Sequence, residues 1–201
     1  MSSSFNKVAI IGSGVIGTGW AIRFLAKNKE VLVYEPNSSQ RKFLINEIKR
    51  TKKTINKFYN KKKLNLKKLH FTETIEFAVK NADIIQENVP EDLKIKKKIV
   101  KEISKFSKPN AIIASSSSGL LPTKIQSSCK NPGRFLIAHP FNPVYLLPLV
   151  EIVKGQKTNV KFINKSKNFY KSIGMHPLVL RKEIEGYLSD RLQESIWRES
   201  L

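Results

Sequence analysis

A histidine and a glutamate twelve residues apart, His139 and Glu151, are the side chains of this sequence best suited to acid–base chemistry. They lie in the stretch AHPFNPVYLLPLVEI, residues 138–152, where an apolar run delivers an imidazole into a proline-rich turn. A second apolar run, residues 149–153, is interrupted by the single carboxylate of Glu151. An acid inside a strand is costly without a partner, and an imidazole oriented by a carboxylate is a recurrent general base near neutral pH. The competing reading is a satisfied loop histidine and an unrelated edge-strand glutamate, and spacing alone does not decide between them.

The elements that would position this pair begin at the N-terminus. Lys7 to Ile11 predicts a short strand, Gly12-Ser-Gly-Val-Ile-Gly17 has the G-x-G-x-x-G spacing, and Thr18 to Lys27 continues with helical periodicity. Glycines at 12 and 14 permit a tight turn and close approach of a pyrophosphate, Gly17 lets helix pack on strand, and Val15 and Ile16 complete the phosphate-side turn. A second strand, Val31 to Tyr34, leads into Glu35, where a carboxylate can accept hydrogen bonds from an adenosine ribose. That acid would repel a 2′-phosphate, so the expected cofactor is NAD rather than NADP.

Downstream the pattern keeps alternating. Helices are predicted over Ser39 to Asn60, Thr74 to Lys80, Glu91 to Phe106 and Leu120 to Ser128, with strands over Ala82 to Gln86, Ala111 to Ala114 and from Phe135. Such alternation predicts an α/β fold with a doubly wound, mostly parallel sheet, whose ligands bind outside the carboxyl ends of the strands. Glu35, the segment from Glu87 to Glu91, the run Ser115 to Ser118 and His139 all fall at predicted strand ends, so they can share one crevice. For the serine run, a helix N-cap competes with a hydroxyl aimed at a substrate oxygen or at the nicotinamide.

Bulk properties narrow the classes. The chain has 201 residues, 40% of them hydrophobic, which suffices for one sizeable core and the start of a second domain. One cysteine, Cys129, excludes an internal disulfide framework and fits a reducing, cytoplasmic setting. Although residues 8–26 carry only one charge, Arg23, the four glycines crowded there argue against a signal or membrane helix. His70 and His176 lack ligand spacing, and no metal is expected. The net charge of +21 raises a nucleic-acid-binding alternative, with twelve Lys or Arg against Glu47 alone between Arg41 and Lys68. Because those lysines alternate with apolar residues at helical intervals and no nucleic-acid-reading motif accompanies them, a solvated basic face is the better account.

Taken together, Gly12-Ser-Gly-Val-Ile-Gly17, Pro90-Glu-Asp-Leu-Lys-Ile-Lys96, the serine run, His139-Pro-Phe-Asn-Pro and Leu149-Val-Glu-Ile resemble the 3-hydroxyacyl-CoA dehydrogenase superfamily. The serine-run and histidine blocks are most similar to its L-carnitine dehydrogenase branch, although L-gulonate and hydroxybutyryl-CoA dehydrogenases carry similar blocks. The resemblance implies that His139 is the general acid/base, Glu151 its orienting partner and Ser118 a substrate contact. It places Asn142 near the nicotinamide and Glu91 and Lys96 along the cofactor site. It further implies a small 3-hydroxy acid substrate, an NAD-binding domain over residues 1–182, and the first helix of a helical domain over 183–201. In the family that domain helps close the cleft and forms a homodimer, and the chain reads as stopping within its first helix, Glu185 to Leu201, so that NAD binding is a safer expectation than turnover. Asp190 stands where acyl-CoA enzymes carry asparagine, which suggests that it selects a cationic substrate with Tyr187 or Trp197; an ordinary first-turn aspartate is the alternative.

Overall fold

The computed structural model describes residues 5–59 and 64–201. Three βα units open the chain: β1 (Lys7–Ile11) and α1 (Val15–Ala26), β2 (Glu30–Tyr34) and α2 (Ser38–Phe58), then β3 (Leu69–Thr72) and α3 (Ile75–Val79). Next come β4 (Ile84–Glu87), α4 (Leu93–Phe106), β5 (Ile112–Ser115), α5 (Pro122–Gln126) and β6 (Phe135–Pro140). The remainder is β7 (Leu149–Lys154), α6 (Val160–Ser172), β8 (His176–Val179) and α7 (Ser189–Ser200).

The eight strands form one sheet in the order β3-β2-β1-β4-β5-β6-β7-β8, with β7 antiparallel to β6 and the other pairings parallel. The doubly wound sheet expected from the sequence is therefore present, and its order reverses between β1 and β4. Residues of β4, β5 and β6 are buried on both faces, as strands covered by helices on both sides must be. Val8, Ile10, Ile112 and Leu136 face α1, α2 and α6, whereas Ala9, Ile11, Ile113 and Ile137 face α3, α4 and α5. By the same two-residue alternation His139 and Glu151 point to the α3–α5 side.

The observed boundaries correct several expectations. Helix α1 starts at Val15, not Thr18, so Gly17 lies inside its first turn. Asp92 caps α4 by accepting from the Ile95 N–H, which leaves Glu91 outside that helix. The helix expected over Leu120 to Ser128 shrinks to five residues, because Pro122 supplies its first position and the chain before it is extended. The serine run caps nothing here; α5 has Leu121 at its N-cap and no side-chain cap. Helix α2 ends at Phe58 with Tyr59 as its C-cap, and the expected last residue Asn60 and the lysines at 61–63 lie outside the described residues. Leu44, Ile48, Thr51 and Ile55 form its buried stripe, with most of its lysines on the exposed face. Helix α7 begins at Ser189 rather than Glu185, since Gly186 and Tyr187 adopt φ values of 71° and 46° and hold the preceding turn out of helix.

Strand β3, helix α6 and strand β8 were not anticipated. β3 is a four-residue edge strand with little alternation, and β8 carries Pro177, which fits an edge. The α6 pattern was readable, because Phe162, Ile163, Ser166, Phe169 and Tyr170 recur at helical spacing and are buried. Among the described residues no helix is long and apolar enough to cross a membrane.

Candidate active site

The glycine turn is shaped by backbone sterics. Gly12 has φ +88°, and a Cβ on Gly17 would lie 1.9 Å from the Gly12 carbonyl oxygen, so only glycine lets α1 approach β1 this closely. A Cβ on Gly14 would meet nothing within 4 Å, which leaves open space over the start of α1. That helix has no side-chain cap and no acid in its first turn, so its leading N–H groups are not claimed by a side chain. Just beyond β2, the buried Glu35 carboxylate accepts from the Ser13 N–H at 2.8 Å and the Asn37 N–H at 2.9 Å. These residues fit a dinucleotide: open N–H groups for a pyrophosphate, and an acid tied to the turn with lone pairs remaining for a ribose.

His139 and Glu151 are directly opposed in the antiparallel β6–β7 pair, and Nδ1 lies 2.9 Å from Glu151 Oε2. Glu151 is fully buried and also accepts from the Leu188 N–H at 3.2 Å, the Ser189 N–H at 3.0 Å and the Ser189 hydroxyl at 2.7 Å. The carboxylate thereby caps α7 from a different element. Burial opposes its charge, yet the hydrogen bonds from His139 and Ser189 outweigh burial and hold its carboxyl below the usual range. An ionised carboxylate only accepts, so Nδ1 carries the proton in neutral His139 and Nε2 presents a lone pair. Nε2 has no protein partner among the described residues. The Tyr187 ring packs edge-on against the imidazole at 5.6 Å and fixes its plane.

A cleft of about 290 Å³ joins the two halves of the site, lined among others by Ile16, Asn88, Glu91, Lys96, Ser118 and His139. Ser118 spends its backbone N–H on Glu91 Oε1 at 3.1 Å, and its hydroxyl has no partner among the described residues. Glu91 also accepts from the Ser117 hydroxyl and the N–H groups of Gly119 and Leu120, so its carboxylate organises the serine loop. Burial works against ionisation of Glu91, but Ser117, Lys96 and these N–H groups prevail and lower its pKa. The buried Lys96 ammonium reaches Glu87 at 3.0 Å, the Val89 carbonyl at 3.0 Å and Glu91 at 3.4 Å.

Not every expected residue reaches this cleft. Asn142, which precedes a cis proline, lies instead in a groove with Val15, Gly19, Glu47 and Tyr145. Asp190 stands in the first turn of α7 on a separate, wider groove. Burial raises its pKa, His139 opposes that shift, and Glu151 and Glu91 add to it, so Asp190 is within electrostatic reach of the acid–base pair. Tyr187 cannot offer a face to a cation, because it is fully buried with its hydroxyl bound to the Leu120 carbonyl at 2.8 Å. Trp197 is 56% exposed on α7. Sequence reasoning put Asn88 and Ser116 inside segments expected at the crevice but gave neither a role of its own, and it missed Ser189, whose signal was a polar residue at a helix start. Cys129 is a buried free thiol whose pKa is raised by burial, in keeping with a packing role. Among the described residues no three His, Cys, Asp or Glu are grouped to hold a metal ion.

The model of the 3-hydroxyacyl-CoA dehydrogenase NAD-binding domain matches residues 7–184 of this chain. The chain belongs to the 3-hydroxyacyl-CoA dehydrogenase family. It is 46% identical over 97% of its length to an L-carnitine dehydrogenase of Oceanobacillus iheyensis, covering 64% of that relative. An L-carnitine dehydrogenase of Pseudomonas putida is 44% identical over 96% of the chain, which covers 60% of it. The crystal structure of (S)-3-hydroxybutyryl-CoA dehydrogenase from Ralstonia eutropha superposes with a TM-score of 0.88 at 25% identity, over 98% of this chain and 70% of that one. The chain thus spans a little under two thirds of these carnitine-named relatives and comprises the NAD-binding domain of the 3-hydroxyacyl-CoA dehydrogenase family.

Proposed function

We propose that this chain carries the cofactor site and acid–base pair of an NAD-dependent dehydrogenase that oxidises a small 3-hydroxy acid, L-carnitine to 3-dehydrocarnitine. The observation that carries this reading is the 2.9 Å His139 Nδ1–Glu151 contact, which leaves Nε2 for the cleft shared with Ser118 and Ile16. Glu35 and the turn residues 12–17 hold the dinucleotide, with Glu91 and Lys96 bordering its nicotinamide end and Asn142 on the neighbouring groove. Bound NAD supplies the acceptor for the hydride that leaves C3 of the substrate. As the carbonyl forms, Nε2 of His139 takes the hydroxyl proton, and Glu151 stabilises the imidazolium through Nδ1–H. The Ser118 hydroxyl, without a partner among the described residues, orients the substrate oxygen.

The carnitine substrate is supported by relatives at 44–46% identity and by Asp190, a carboxylate near His139 with no hydrogen-bond partner among the described residues, suited to a quaternary ammonium. We read residues 1–182 as the cofactor domain and 183–201 as the start of a helical one. Leu192, Ile196 and Trp197, exposed along α7, support apolar cover there, as in a cytoplasmic homodimer. The test is NADH formation with L-carnitine, L-gulonate and 3-hydroxybutyryl-CoA, using this chain alone and fused to the remaining segment of the Oceanobacillus relative. Turnover of L-carnitine alone is expected; preference for either other substrate would reassign the enzyme within its family, and inactivity despite bound NADH would overturn the catalytic reading.

A further inference from the structure

Beside the cleft runs a chain of side-chain hydrogen bonds that the acid–base pair does not use. The Trp20 indole N–H at 3.0 Å and the Gln86 amide N–H at 2.9 Å both donate to the Ser116 hydroxyl oxygen. Ser116 donates to Asn88 Oδ1 at 2.8 Å, and Asn88 Nδ2 donates to the Gln86 carbonyl at 2.8 Å. Behind them the buried Tyr170 hydroxyl donates to Gln86 Oε1 at 2.7 Å.

The proton directions in this network are fixed by what each atom can do. An indole nitrogen only donates. The Gln86 amide turns its nitrogen toward Ser116, because that atom also lies 3.5 Å from the Ala138 carbonyl, which only accepts. Asn88 turns its nitrogen to the Gln86 carbonyl for the same reason, so its oxygen faces Ser116. With two donors on its oxygen, Ser116 sends its one proton to Asn88. The Asn88 amide is therefore clamped at both ends and retains one N–H with no acceptor among the described residues.

Its location says what that donor meets. Asn88 follows β4, where the strand order reverses, and lines the cleft with Ile16, Ser118 and His139. It also packs against the glycine turn: a Cβ on Gly12 would come 3.0 Å from the Asn88 carbonyl oxygen, and one on Gly17 would come 3.4 Å from its Cβ. A dinucleotide crosses a doubly wound sheet at this reversal. Its nicotinamide half then falls between the glycine turn and His139.

We propose that Asn88 donates its free N–H to an oxygen of the nicotinamide riboside, and that the Trp20–Ser116–Gln86 network is a positioning device for that donor. This rests on the dinucleotide reading above. A donor held in place loses little freedom when the ligand arrives, which favours binding without any new contact.

The test compares binding of NADH and of ADP, which lacks the nicotinamide riboside, by calorimetry with no hydroxy acid present. Asn88→Ala is expected to weaken NADH binding about five- to tenfold, the worth of one neutral hydrogen bond, and to leave ADP binding unchanged. Asn88→Asp, which keeps an acceptor for Ser116 but loses the donor, should weaken NADH at least as much with the fold intact. Trp20→Phe should reproduce part of the loss, again for NADH only. Unchanged NADH affinity in the Asn88 variants, or equal losses for NADH and ADP, would overturn the proposal. So would a change confined to the KM of the hydroxy acid in a companion turnover assay on the fused chain, which would assign the donor to the substrate. If the wild-type chain binds NADH and the variants do not discriminate, the Asn88 inference alone fails; if it binds neither ligand, the dinucleotide reading fails with it.

Discussion

The glycine turn and the His139–Glu151 pair border one cleft, yet different physics holds each in place. The turn is made by what is missing: Gly17 has no Cβ to strike the Gly12 carbonyl, and Gly14 leaves space above the helix start. Its parts lie within six residues of one another, with Glu35 as the distant tie. The pair is made by what is present, four donors converging on one buried carboxylate from β6 and from the start of α7, 37 and 38 residues further along the chain. The turn should therefore fail through backbone strain, and the pair through lost charge and hydrogen bonding.

The largest expected effect follows from the turn. In Gly17→Ala the new methyl group would lie 1.9 Å from a backbone oxygen and 3.0 Å from its carbonyl carbon, and neither can move without opening the turn. Loss of detectable NADH binding is expected, with destabilisation of about 3 kcal/mol from overpacking. Gly14→Ala places its methyl in open space and should melt at the wild-type temperature. Thermal melts and NADH titrations of the two variants check this, and equal damage from both would break the steric account.

Glu151→Gln probes the other half. The amide keeps the volume but loses the charge, and it can no longer accept from all four donors that the carboxylate satisfies. A loss of stability near 2 kcal/mol is expected in denaturant melts, and a fall in kcat on the order of a hundredfold in the active assembly, because the imidazolium formed when Nε2 takes the proton loses the carboxylate that stabilises it through Nδ1–H. NADH affinity should hold, since the turn is untouched. A parallel loss of NADH binding would show that the two regions do not act separately.

The same contrast explains what could be read from sequence. The glycine turn, the acid after β2 and strands β1, β2, β4, β5 and β6 are contiguous patterns whose physics is local, and they were legible, whereas the short edge strand β3 and the bounds of α1 and α5 were not. The facing of His139 and Glu151 was a spacing with two readings until the antiparallel register set them side by side. That Glu151 caps α7 could not be read at all, because a helix N-terminus normally takes its cap from its own sequence, and here Leu188 at that position supplies none. Where Asn142 and Tyr187 point was not legible for a related reason. A motif fixes which residues follow one another, but the cis peptide at Pro143 and the positive φ of Tyr187 decide where their side chains go.

The smallest expected effect is a pair of opposite pH dependences within the second region. Glu151 has its pKa lowered from 4.5, despite burial, by His139 and Ser189, so its contribution to stability is present above pH 4.5 and is lost as pH falls through its folded value. Asp190 has its pKa raised from 3.8 by burial and by the charges of Glu151 and Glu91, against the pull of His139, so it costs stability progressively as pH rises above 3.8, the full cost being reached above that raised value. Removing Glu151 as Gln should flatten the acid limb of the stability curve, since one group that must be protonated on acidification is gone. Removing Asp190 as Asn should do the reverse, raising stability slightly at neutral pH and steepening the loss in acid, because the relief that protonation of Asp190 gave the wild type has disappeared. Denaturant melts at stepped pH would separate the two, and slopes that shift in the same direction for both variants would show that Asp190 answers to the α7 dipole rather than to the carboxylates around His139.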